Sequence, residues 1–470
     1  MFYYYAHEED KNLLESKKIV DPKRKGFMTY KPSRLLSACA VIMLAILSAC
    51  SQTASTNIDP GTNPGVLDPH KQYTVNFWET FNTGANKTAL ANLVKQYTDT
   101  HKNVKINLQS YDSYDTLETN VAAALRANKP PAITQVDDSN ATWYQGDDNI
   151  VSLKPYITGK NGLSQSDLSD FYAPLLKDGQ INGEQYTLPF NKSDEVLYYN
   201  ATLLKKNNLQ PPTTLTDFVA DIKKLTKSDG SQWGLSLTPS VDEWATIFKD
   251  LGGKNFISPD SQHVLFDQGS DAQYTQQALD LLAPLTKTGA VHVTAGYNWQ
   301  DDFASQKAAF ALGTSASYPF LKAHGGSKFD FNEAAFPGGP AGQFTVLYGG
   351  SNLSLLSGVS VDTRNAAWDF MKFLTSSASN ISFVQQTGYI PIRQSAFNSQ
   401  SLQSYYAQNP TSKVGLAQTS HAYVASTITI WDECIDYITT NYTSVLDGHS
   451  TAAAAMKNMA QSCNDNIDMA

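Results

Sequence analysis

The side chains that commonly perform catalysis are present in this 470-residue chain, but none stands at a recognised catalytic spacing. The eight histidines are scattered without an HxxxH pair, and no cysteine lies close to a histidine in sequence. The chain has no HExxH, GxSxG, P-loop or GxGxxG motif. Two carboxylates can pair in space as in glycosidases, yet nothing in the sequence selects a pair. We therefore expect no catalytic residue, no metal site and no cofactor.

Candidate ligand-binding side chains follow the apolar runs that predict strands. These loops matter because ligands collect beyond the carboxyl ends of strands in open α/β sheets. Carboxylates there would accept several hydroxyl donors. The simpler alternatives are that Trp78 faces the core, that Glu79 is a solvated carboxylate, and that Asp138 or Ser139 caps a helix. The candidates from these loops are Trp78, Glu79, Asp137, Asp138, Ser139, Ser315 and Ser317.

The elements that must position these loops alternate between strand and helix patterns. Residues 73–78, 104–108 and 132–136 read as three strands. Between them, apolar residues recur at helical spacing, first at Leu90, Leu93, Val94 and Tyr97 and then around Leu117 and Val121. This β-α-β-α-β order predicts an α/β fold with a parallel sheet and helices on its faces.

Residues 182–204, NGEQYTLPFNKSDEVLYYNATLL, have the features of a hinge. An Asn-Gly turn signal opens the segment, and Pro189 separates two short extended runs. Proline has a fixed φ and no N–H, so it suits a strand end or a crossover. Two short strands joined by a bent connector would let two bodies rotate about a few backbone torsions.

Several blocks of the chain resemble the signature of the family-1 extracellular solute-binding proteins of ABC importers. They are GEQYTLP and LYYN in the hinge segment, FASQKAAF at 303–310, GGSNL at 349–353 and GYIPIR at 388–393. Ser305 and Gln306 stand near the family's usual glycine, which is a small departure. The resemblance implies a periplasmic-binding-protein-like fold, with two discontinuous α/β lobes joined by a three-crossing hinge. Lobe 1 would comprise residues 72–190 and 350–388, and lobe 2 residues 191–349 and 389–470.

The resemblance also adds candidate site residues in the crossings and among the tryptophans. Trp244 is expected to stack on a sugar, similar to a cleft aromatic of the family, and Trp299 is a further candidate. The alternative for both rings is a place in the core. Asn191 and Ser193 alternatively satisfy local backbone groups. The candidates from the crossings are Asn191, Ser193, Gly350, Ser351 and Arg393.

The acidic loop at Asp137 and Asp138 and the abundant aromatic residues favour a neutral, hydroxyl-rich ligand. Relatives that bind glycerol phosphate or its diesters share a run like PPAITQV at 130–136 and a serine cluster like Ser315 and Ser317. A phosphate would favour a basic or N–H-rich site. Arg393 is the obvious basic candidate, whereas Asp137 and Asp138 would repel a dianion. We therefore expect a carbohydrate, with glycerol 3-phosphate or a glycerophosphodiester as the alternative.

The N-terminal residues predict export and lipid anchoring. Lys31 and Arg34 precede an apolar run at 35–47 that is shorter than the roughly 20 residues of a membrane span. The run ends in LSAC, which resembles the bacterial lipobox and implies lipidation of Cys50. We expect a signal segment at 1–49, with translation starting at Met28, and a flexible tether at 50–71. The alternative is a short membrane anchor with an incidental cysteine.

Two cysteines, Cys434 and Cys463, remain after the predicted signal and lipidation site. They stand 29 residues apart around a turn at Gly448 between two helical patterns, which would bring them opposite each other. Outside the cytosol such a pair is expected to oxidise, the alternative being two buried free thiols.

The functional hypothesis is a lipid-anchored receptor on the outer face of the cytoplasmic membrane. It would act as a monomer, close two lobes around a carbohydrate, expected to be an oligosaccharide, and deliver that ligand to the permease subunits of an ABC importer. The formal net charge of −9 argues against nucleic acid as a partner. Two other classes stay open, an extracellular glycosidase or other hydrolase, and an adhesin or sensor subunit with the same fold.

Overall fold

The computed structural model describes residues 63–258, 262–326, 328–340, 345–423 and 431–467. The predicted signal segment, Cys50 and most of the predicted tether lie outside these residues. Ten of the strands form one sheet, and β4 and β5 form a separate hairpin. In chain order the strands are β1 (Tyr73–Glu79), β2 (Val104–Ser110), β3 (Ile133–Val136), β4 (Gln180–Ile181), β5 (Glu184–Gln185), β6 (Thr187–Asn200), β7 (Trp233–Leu237), β8 (Val291–Val293), β9 (Ala308–Thr314), β10 (Phe331–Ala335), β11 (Val346–Leu355) and β12 (Ala422–Tyr423).

Helices cover both faces of this sheet, and many of them begin at a capping side chain. Ser113, for example, accepts a hydrogen bond from the backbone N–H of Thr116 at the start of the second helix. In chain order the helices are α1 (Gly84–Thr100), α2 (Tyr114–Arg126), α3 (Asp138–Gly146), α4 (Lys154–Thr158), α5 (Gln165–Asp170), α6 (Ala173–Asp178), α7 (Ala201–Lys206), α8 (Leu215–Leu225), α9 (Val241–Asp250), α10 (Asp271–Asp280), α11 (Ala283–Lys287), α12 (Asn298–Ala304), α13 (Tyr318–His324), α14 (Val361–Leu374), α15 (Ser377–Thr387), α16 (Gln394–Phe397), α17 (Gln400–Gln408), α18 (Val414–Gln418), α19 (Trp431–Leu446) and α20 (Ala452–Ile467).

The sheet has two parallel halves joined by antiparallel strands. Its order is β2-β1-β3-β11-β6-β9-β7-β8, with β10 on β6 and β12 on β11. In lobe 1, β1 pairs in parallel with β2 and β3, and in lobe 2, β7 pairs in parallel with β8 and β9. Strand β11 runs antiparallel to β3 of lobe 1, β6 runs antiparallel to β9 of lobe 2, and β6 and β11 pair antiparallel with each other, so the two strands belong to both lobes. The predicted α/β architecture of two discontinuous lobes is therefore confirmed.

Strand β6 corrects one expectation about the hinge. Two short strands around Pro189 were expected, but a single strand of 14 residues runs from Thr187 to Asn200. Pro189 pairs with Asn352 where the register of β6 and β11 shifts. An irregularity of this kind leaves ladder positions unpaired, so a residue without an N–H is tolerated there.

Each lobe has its own hydrophobic core, built from the faces that the periodicity predicts. In lobe 1 the helical series Leu90, Leu93 and Tyr97 packs under β1 with Trp368 and Phe370 of α14. In lobe 2 the apolar faces of α8, α9, α10, α19 and α20 converge on one cluster beside β7 and β9. Separate cores let each lobe move as a unit.

The chain leading into β1 is more ordered than the predicted tether. The backbone N–H of Gly65 donates to Asn365 Oδ1 at 2.8 Å, and Leu67 packs against the lobe 1 core. A tether running to residue 71 was therefore wrong for residues 65–67, because they pack on α14. No helix of the described residues is long and apolar enough to cross a membrane.

Cys434 and Cys463 link the last two helices. A disulfide joins them, with 5.1 Å between their Cα atoms. Both residues are fully buried in the lobe 2 core. The bond fixes α19 against α20 beside the sheet.

A third chain segment follows β6 and β11 between the lobes. The backbone N–H of Ile390 donates to the carbonyl of Lys192 at 2.8 Å. Lys192 itself forms a buried ion pair with Asp178, its Nζ lying 2.5 Å from the carboxylate. The hinge thus consists of three segments that contact one another at residues 191–194.

Gly350 is the hinge position with the least steric freedom. Its φ is +81°, and a Cβ atom there would overlap the carbonyl oxygen of Asn191. We expect Gly350→Ala to lower the free energy of unfolding by roughly 1–3 kcal/mol, measured by urea denaturation. Gly349→Ala is the matched control, because its methyl group would come closest to the rotatable Ser193 hydroxyl, at 3.2 Å, and no nearer than 3.8 Å to a backbone atom of the facing strand. Equal losses for the two variants would contradict this explanation.

Candidate ligand-binding cleft

The carboxyl ends of the parallel strands in the two lobes meet at the hinge. Strand β11 places Asn352 opposite Val136, at the end of β3. Strand β6 places Glu195 opposite Thr314, at the end of β9. Residues 191–194 of β6 and 348–351 of β11 lie between these two edges and pair with each other. We call this region, with the loops after the parallel strands, the cleft, and it is where α/β sheets bind ligands.

Asn191 is the centre of a polar network on the lobe 1 side of the cleft. Its Oδ1 accepts hydrogen bonds from Gln135 Nε2 at 3.0 Å and from Ser351 Oγ at 2.6 Å. Its Nδ2 donates to the hydroxyl of Tyr114 at 3.0 Å. Gln135 lies in β3, and Tyr114 begins α2. The network therefore fixes two loops of lobe 1 to the hinge strand.

On the lobe 2 side, a group of acids from β6 and α9 lies at the same face of β6. Side chains alternate along a strand, so Ser193 and Glu195 point to the same face as Asn191. Asp242 lies in the first turn of α9, and its carboxylate is 4.0 Å from the Cβ position of Gly349. We call Glu195, Asp242 and Glu243 the acidic cluster.

Burial and mutual repulsion both act on this acidic cluster. Burial raises the pKa of Glu195 well above its usual value, and Asp242, Glu243 and Asp194 raise it further. Burial raises the pKa of Asp242 to about 6 and that of Glu243 to about 8. Tyr442 partly offsets the shift of Glu243 by donating to its Oε1 at 2.6 Å. No basic side chain contributes to these shifts.

Tyr297 is the one large apolar side chain that the described residues expose strongly. It is 76% exposed and follows Gly296, in the loop between β8 and α12. The carbonyl of Gly296 accepts a hydrogen bond from Thr238 Oγ1 at 2.8 Å, which ties this loop to the one after β7. The surrounding protein raises the pKa of the Tyr297 phenol, and Tyr114 of lobe 1 raises it further. The ring is therefore open to water while facing the opposite lobe.

Comparison with protein families decides what kind of protein has this arrangement. Residues 92–411 match the model of a bacterial extracellular solute-binding protein family, which is more than half of the chain. The chain belongs to this family. The resemblance of the sequence motifs to extracellular solute-binding proteins is thereby confirmed.

Individual relatives of this solute-binding protein bind two kinds of ligand. The sn-glycerol-3-phosphate-binding periplasmic protein UgpB of Brucella melitensis is 24% identical over 360 residues, covering 72% of this chain and 78% of the relative. The ABC substrate-binding protein Lmo0181 of Listeria monocytogenes, solved with cycloalternan, superposes with a TM-score of 0.74 at 19% identity, over 85% and 100% of the two chains. UgpB of Mycobacterium tuberculosis, solved with glycerophosphocholine, superposes with a TM-score of 0.71 at 20% identity, covering 84% of this chain and 98% of that protein. At these low identities, the two structural superpositions establish the fold of this chain.

The structure places both candidate tryptophans of lobe 2 in the interior. Trp244 is fully buried and packs against Phe248, Phe256 and Phe266. Trp299 is 4% exposed and stacks on Tyr198 with ring centroids 5.9 Å apart. The expectation that either ring stacks on a ligand is corrected, because both rings are buried against core aromatics. The alternative of a core role holds for both.

The candidates from the loops of lobe 1 satisfy local groups. Glu79 is 1% exposed and accepts hydrogen bonds from the Phe81 N–H and the Ser110 hydroxyl, so it is not a solvated carboxylate. Asp137, not Asp138 or Ser139, caps α3 by accepting from the Asn140 N–H at 2.8 Å. Trp78 is half-buried beside Tyr111. The side chain of Asp138 lies outside the described residues.

Ser139, Ser315 and Ser317 are also buried. Ser139 Oγ donates to Asp137 at 3.1 Å, and Ser317 Oγ accepts from Gln300 Nε2 at 2.9 Å. Ser315 is 2% exposed and lies against Gly388 of the third crossing. These serines position the loops at the strand ends and expose little surface to a ligand.

Arg393 has a structural environment that removes it from the cleft. Its guanidinium stacks on Phe171 at 3.9 Å, donates to the Thr375 carbonyl and pairs with Asp170 at 3.2 Å. The expectation that it contacts ligand is therefore corrected. Of the candidates in the crossings, Asn191, Ser193, Gly350 and Ser351 lie at the cleft floor.

Sequence reasoning missed the residues that give the cleft its charge and its aromatic surface. They share a readable signal, since each follows a strand end or lies in a crossing. Glu195 lies within the hinge segment and Asp242 in the first turn of the helix that carries Trp244, and the local pattern distinguishes neither from a solvated carboxylate. Among the described residues, no group of three or more His, Cys, Asp or Glu is placed to hold a metal ion. The missed residues are Tyr114, Glu195, Asp242 and Tyr297.

The raised pKa values make the stability of this solute-binding protein depend on pH. Asp194 is 1% exposed, and burial raises its pKa from 3.8 to about 7, partly offset by the nearby Gln418 amide. The folded state then binds more protons than the unfolded state between these two values, so the unfolding free energy falls as pH rises through them. At about 1.4 kcal/mol per pKa unit, Asp194 alone accounts for at most about 4 kcal/mol.

We therefore expect the protein to unfold at lower urea concentration at pH 8 than at pH 5. Asp194→Asn should reduce this difference, because the amide does not titrate. Asp447→Asn changes an exposed carboxylate in the turn between α19 and α20, and should leave the difference unchanged. Stability that rises between pH 5 and pH 8, or an unchanged difference in Asp194→Asn, would show that the buried carboxylates do not control it.

Proposed function

We propose that this solute-binding protein is the substrate-binding subunit of an ABC importer and captures a carbohydrate, specifically an oligosaccharide. The observation that carries the proposal is the chemistry of the cleft. Carboxylates, an amide and tyrosines line it, and these groups suit hydroxyl donors and sugar rings. The sugar-bound Listeria relative has the same fold. No catalytic step is part of the proposal.

Capture would proceed by closure of the lobes around the hinge. Strands β6 and β11 and the third crossing form the only described connections whose torsions need to change. Closure is then a shift between open and closed populations, driven by contacts that the ligand makes only when both lobes reach it. Asn191 and Tyr114 on one side and Tyr297 on the other are the groups that would meet the ligand in the closed state.

Glycerol 3-phosphate or a glycerophosphodiester is the second candidate ligand. The UgpB relatives in both comparisons favour it. Against it, the two basic side chains of the crossings are already paired, Lys192 with Asp178 and Arg393 with Asp170. A phosphate would therefore enter a cleft whose nearest charges are negative, which places carbohydrate first.

The proposal assigns the role of stacking platform to Tyr297 in place of Trp244. An exposed aromatic ring on a loop costs free energy that a ligand ring can recover, and sugar faces pack well against such rings. The hydrogen bond from Thr238 to the Gly296 carbonyl holds the Tyr297 loop in place before the ligand binds. The opposing Tyr114 lies across the cleft in lobe 1.

The remaining parts of the proposal concern location and partners. The lipobox-like LSAC implies that Cys50 carries a lipid and holds the protein on the outer face of the cytoplasmic membrane. The protein would act there as a monomer and deliver its ligand to permease subunits. The family description is consistent with an extracellular location.

Thermal-shift screening of the full-length protein tests the function. The panel contains mono-, di- and oligosaccharides, glycerol 3-phosphate and its diesters. A ligand at 100 times its Kd stabilises the native state by about 2.7 kcal/mol, which gives a readable rise in Tm. A shift with one sugar series supports carbohydrate capture. A shift only with phosphates supports the second candidate, and hydrolysis products without any shift would reject both.

Tyr297→Ala and Trp244→Ala form a matched pair in the same assay. Tyr297→Ala should leave the Tm of the free protein nearly unchanged, because the ring is exposed, and should weaken ligand affinity about tenfold. Trp244→Ala should lower the stability of the free protein by about 3–5 kcal/mol, because it empties a core site. The assignment fails if Tyr297→Ala binds ligand as tightly as the unaltered protein.

A further inference from the structure

Glu195 carries a buried carboxylate at the cleft floor that has no counter-charge in the described part of the chain. Glu195 is 7% exposed, and the structure gives its carboxylate no hydrogen-bond donor among the described residues. The backbone carbonyl of Glu195 accepts from Gln418, but the side chain points along the face shared with Ser193. Its electrostatic neighbours are Asp242, Glu243 and Asp194, all of the same sign.

The cations nearest to this face are engaged elsewhere. Lys192 alternates to the opposite side of β6 and pairs with Asp178. Arg393 is held by Asp170, the Thr375 carbonyl and the ring of Phe171. The loops at 79–83, 110–115, 137–140, 238–242, 294–298 and 314–317 contain no Lys or Arg. None of these described loops therefore supplies a cation to these carboxylates.

The excess of negative charge extends from the floor to the rim of the cleft. Asp436 of α19, in lobe 2, lies close enough to Asp115 of α2, in lobe 1, for the two to interact. Burial raises the pKa of Asp436, and Asp115 raises it further. Like charges on the two lobes repel as the lobes approach, unless something positive lies between them.

We propose that the ligand of this protein is a hydroxylated molecule with a cationic nitrogen, and that the nitrogen binds between Glu195 and Asp242 beside Ser193. The proposal rests on the proposed function, since it names the class of carbohydrate as amine-bearing. Donors from a neutral sugar can hydrogen-bond to these carboxylates, but they do not remove the mutual repulsion that opposes ionisation of Glu195 beside Asp242. A protonated amine supplies donors and cancels charge together.

The aromatic residues of the cleft suit the same chemistry. An ammonium group within about 6 Å of a ring centroid is attracted to its face. Tyr297 is exposed on lobe 2, and Tyr114 lies opposite it on lobe 1. A ligand that places its rings between these tyrosines and its nitrogen toward β6 would engage both lobes, which is the condition for closure.

Calorimetric titration of the full-length protein with matched pairs of ligands tests the proposal. The pairs are glucosamine with glucose, galactosamine with galactose, the deacetylated glucosamine trimer chitotriose with cellotriose, and glycerophosphocholine with glycerol 3-phosphate. We expect the cationic member of at least one pair to bind tenfold or more tightly than its partner. A preference only in the sugar pairs identifies an amino sugar, and a preference only in the last pair identifies a quaternary ammonium ligand and replaces the carbohydrate.

Glu195→Gln and Asp242→Asn test whether the acidic cluster causes the preference. Each should reduce the ratio of affinities within the pair at least threefold, whereas Asp447→Asn, with the same change in charge, should not. Equal or tighter binding of the neutral or anionic member, or a ratio unchanged in both cleft variants, overturns the cationic ligand and leaves carbohydrate capture standing. No binding to any member of any pair overturns both.

Discussion

The pairing of β6 with β11 through the hinge is the constraint on which the rest of the structure depends. Both strands contribute to the core of each lobe, so neither lobe can detach from the other without breaking a sheet. At Gly350 the two backbones approach so closely that a side chain cannot enter. The floor of the cleft is consequently rigid, and motion is restricted to the few torsions beside it. Side chains on that floor keep their positions whether the lobes are open or closed.

Much of this architecture could be predicted because it depends on local periodicity. The alternation in β1 and the series Leu90, Leu93 and Tyr97 directly report which faces are buried, and the strand-helix order then fixes a parallel sheet. The three crossings came from the resemblance of short motifs, not from physics. The continuity of β6 through Pro189 was missed, because tolerance for a proline depends on the register of a partner strand 160 residues away along the chain.

The candidate site was harder to predict because burial is decided by distant elements. Trp244 lies on a helix whose other faces are covered by α10, α19 and β11, so an aromatic that could have lined the cleft belongs to the core. Tyr297 shows the opposite outcome, since none of the described residues later in the chain buries its ring. Arg393 resembled a ligand contact until Asp170 and Phe171, more than 200 residues earlier, proved to enclose it. In each case the tertiary neighbours, and not the residue type or the local pattern, decide whether the side chain reaches the cleft.

A group of like charges at a rigid hinge has an energetic consequence for closure. Glu195 and Glu243 are already buried at the cleft floor, and closing the lobes without ligand would remove the remaining water from Glu195, whose carboxylate has no hydrogen-bond donor among the described residues. The closed state is therefore disfavoured when the cleft is empty. A ligand that provides donors or positive charge removes this cost only in the closed state, and it shifts the population by that difference in affinity. Electrostatic repulsion would thus keep the empty receptor open and make closure report that the ligand is bound.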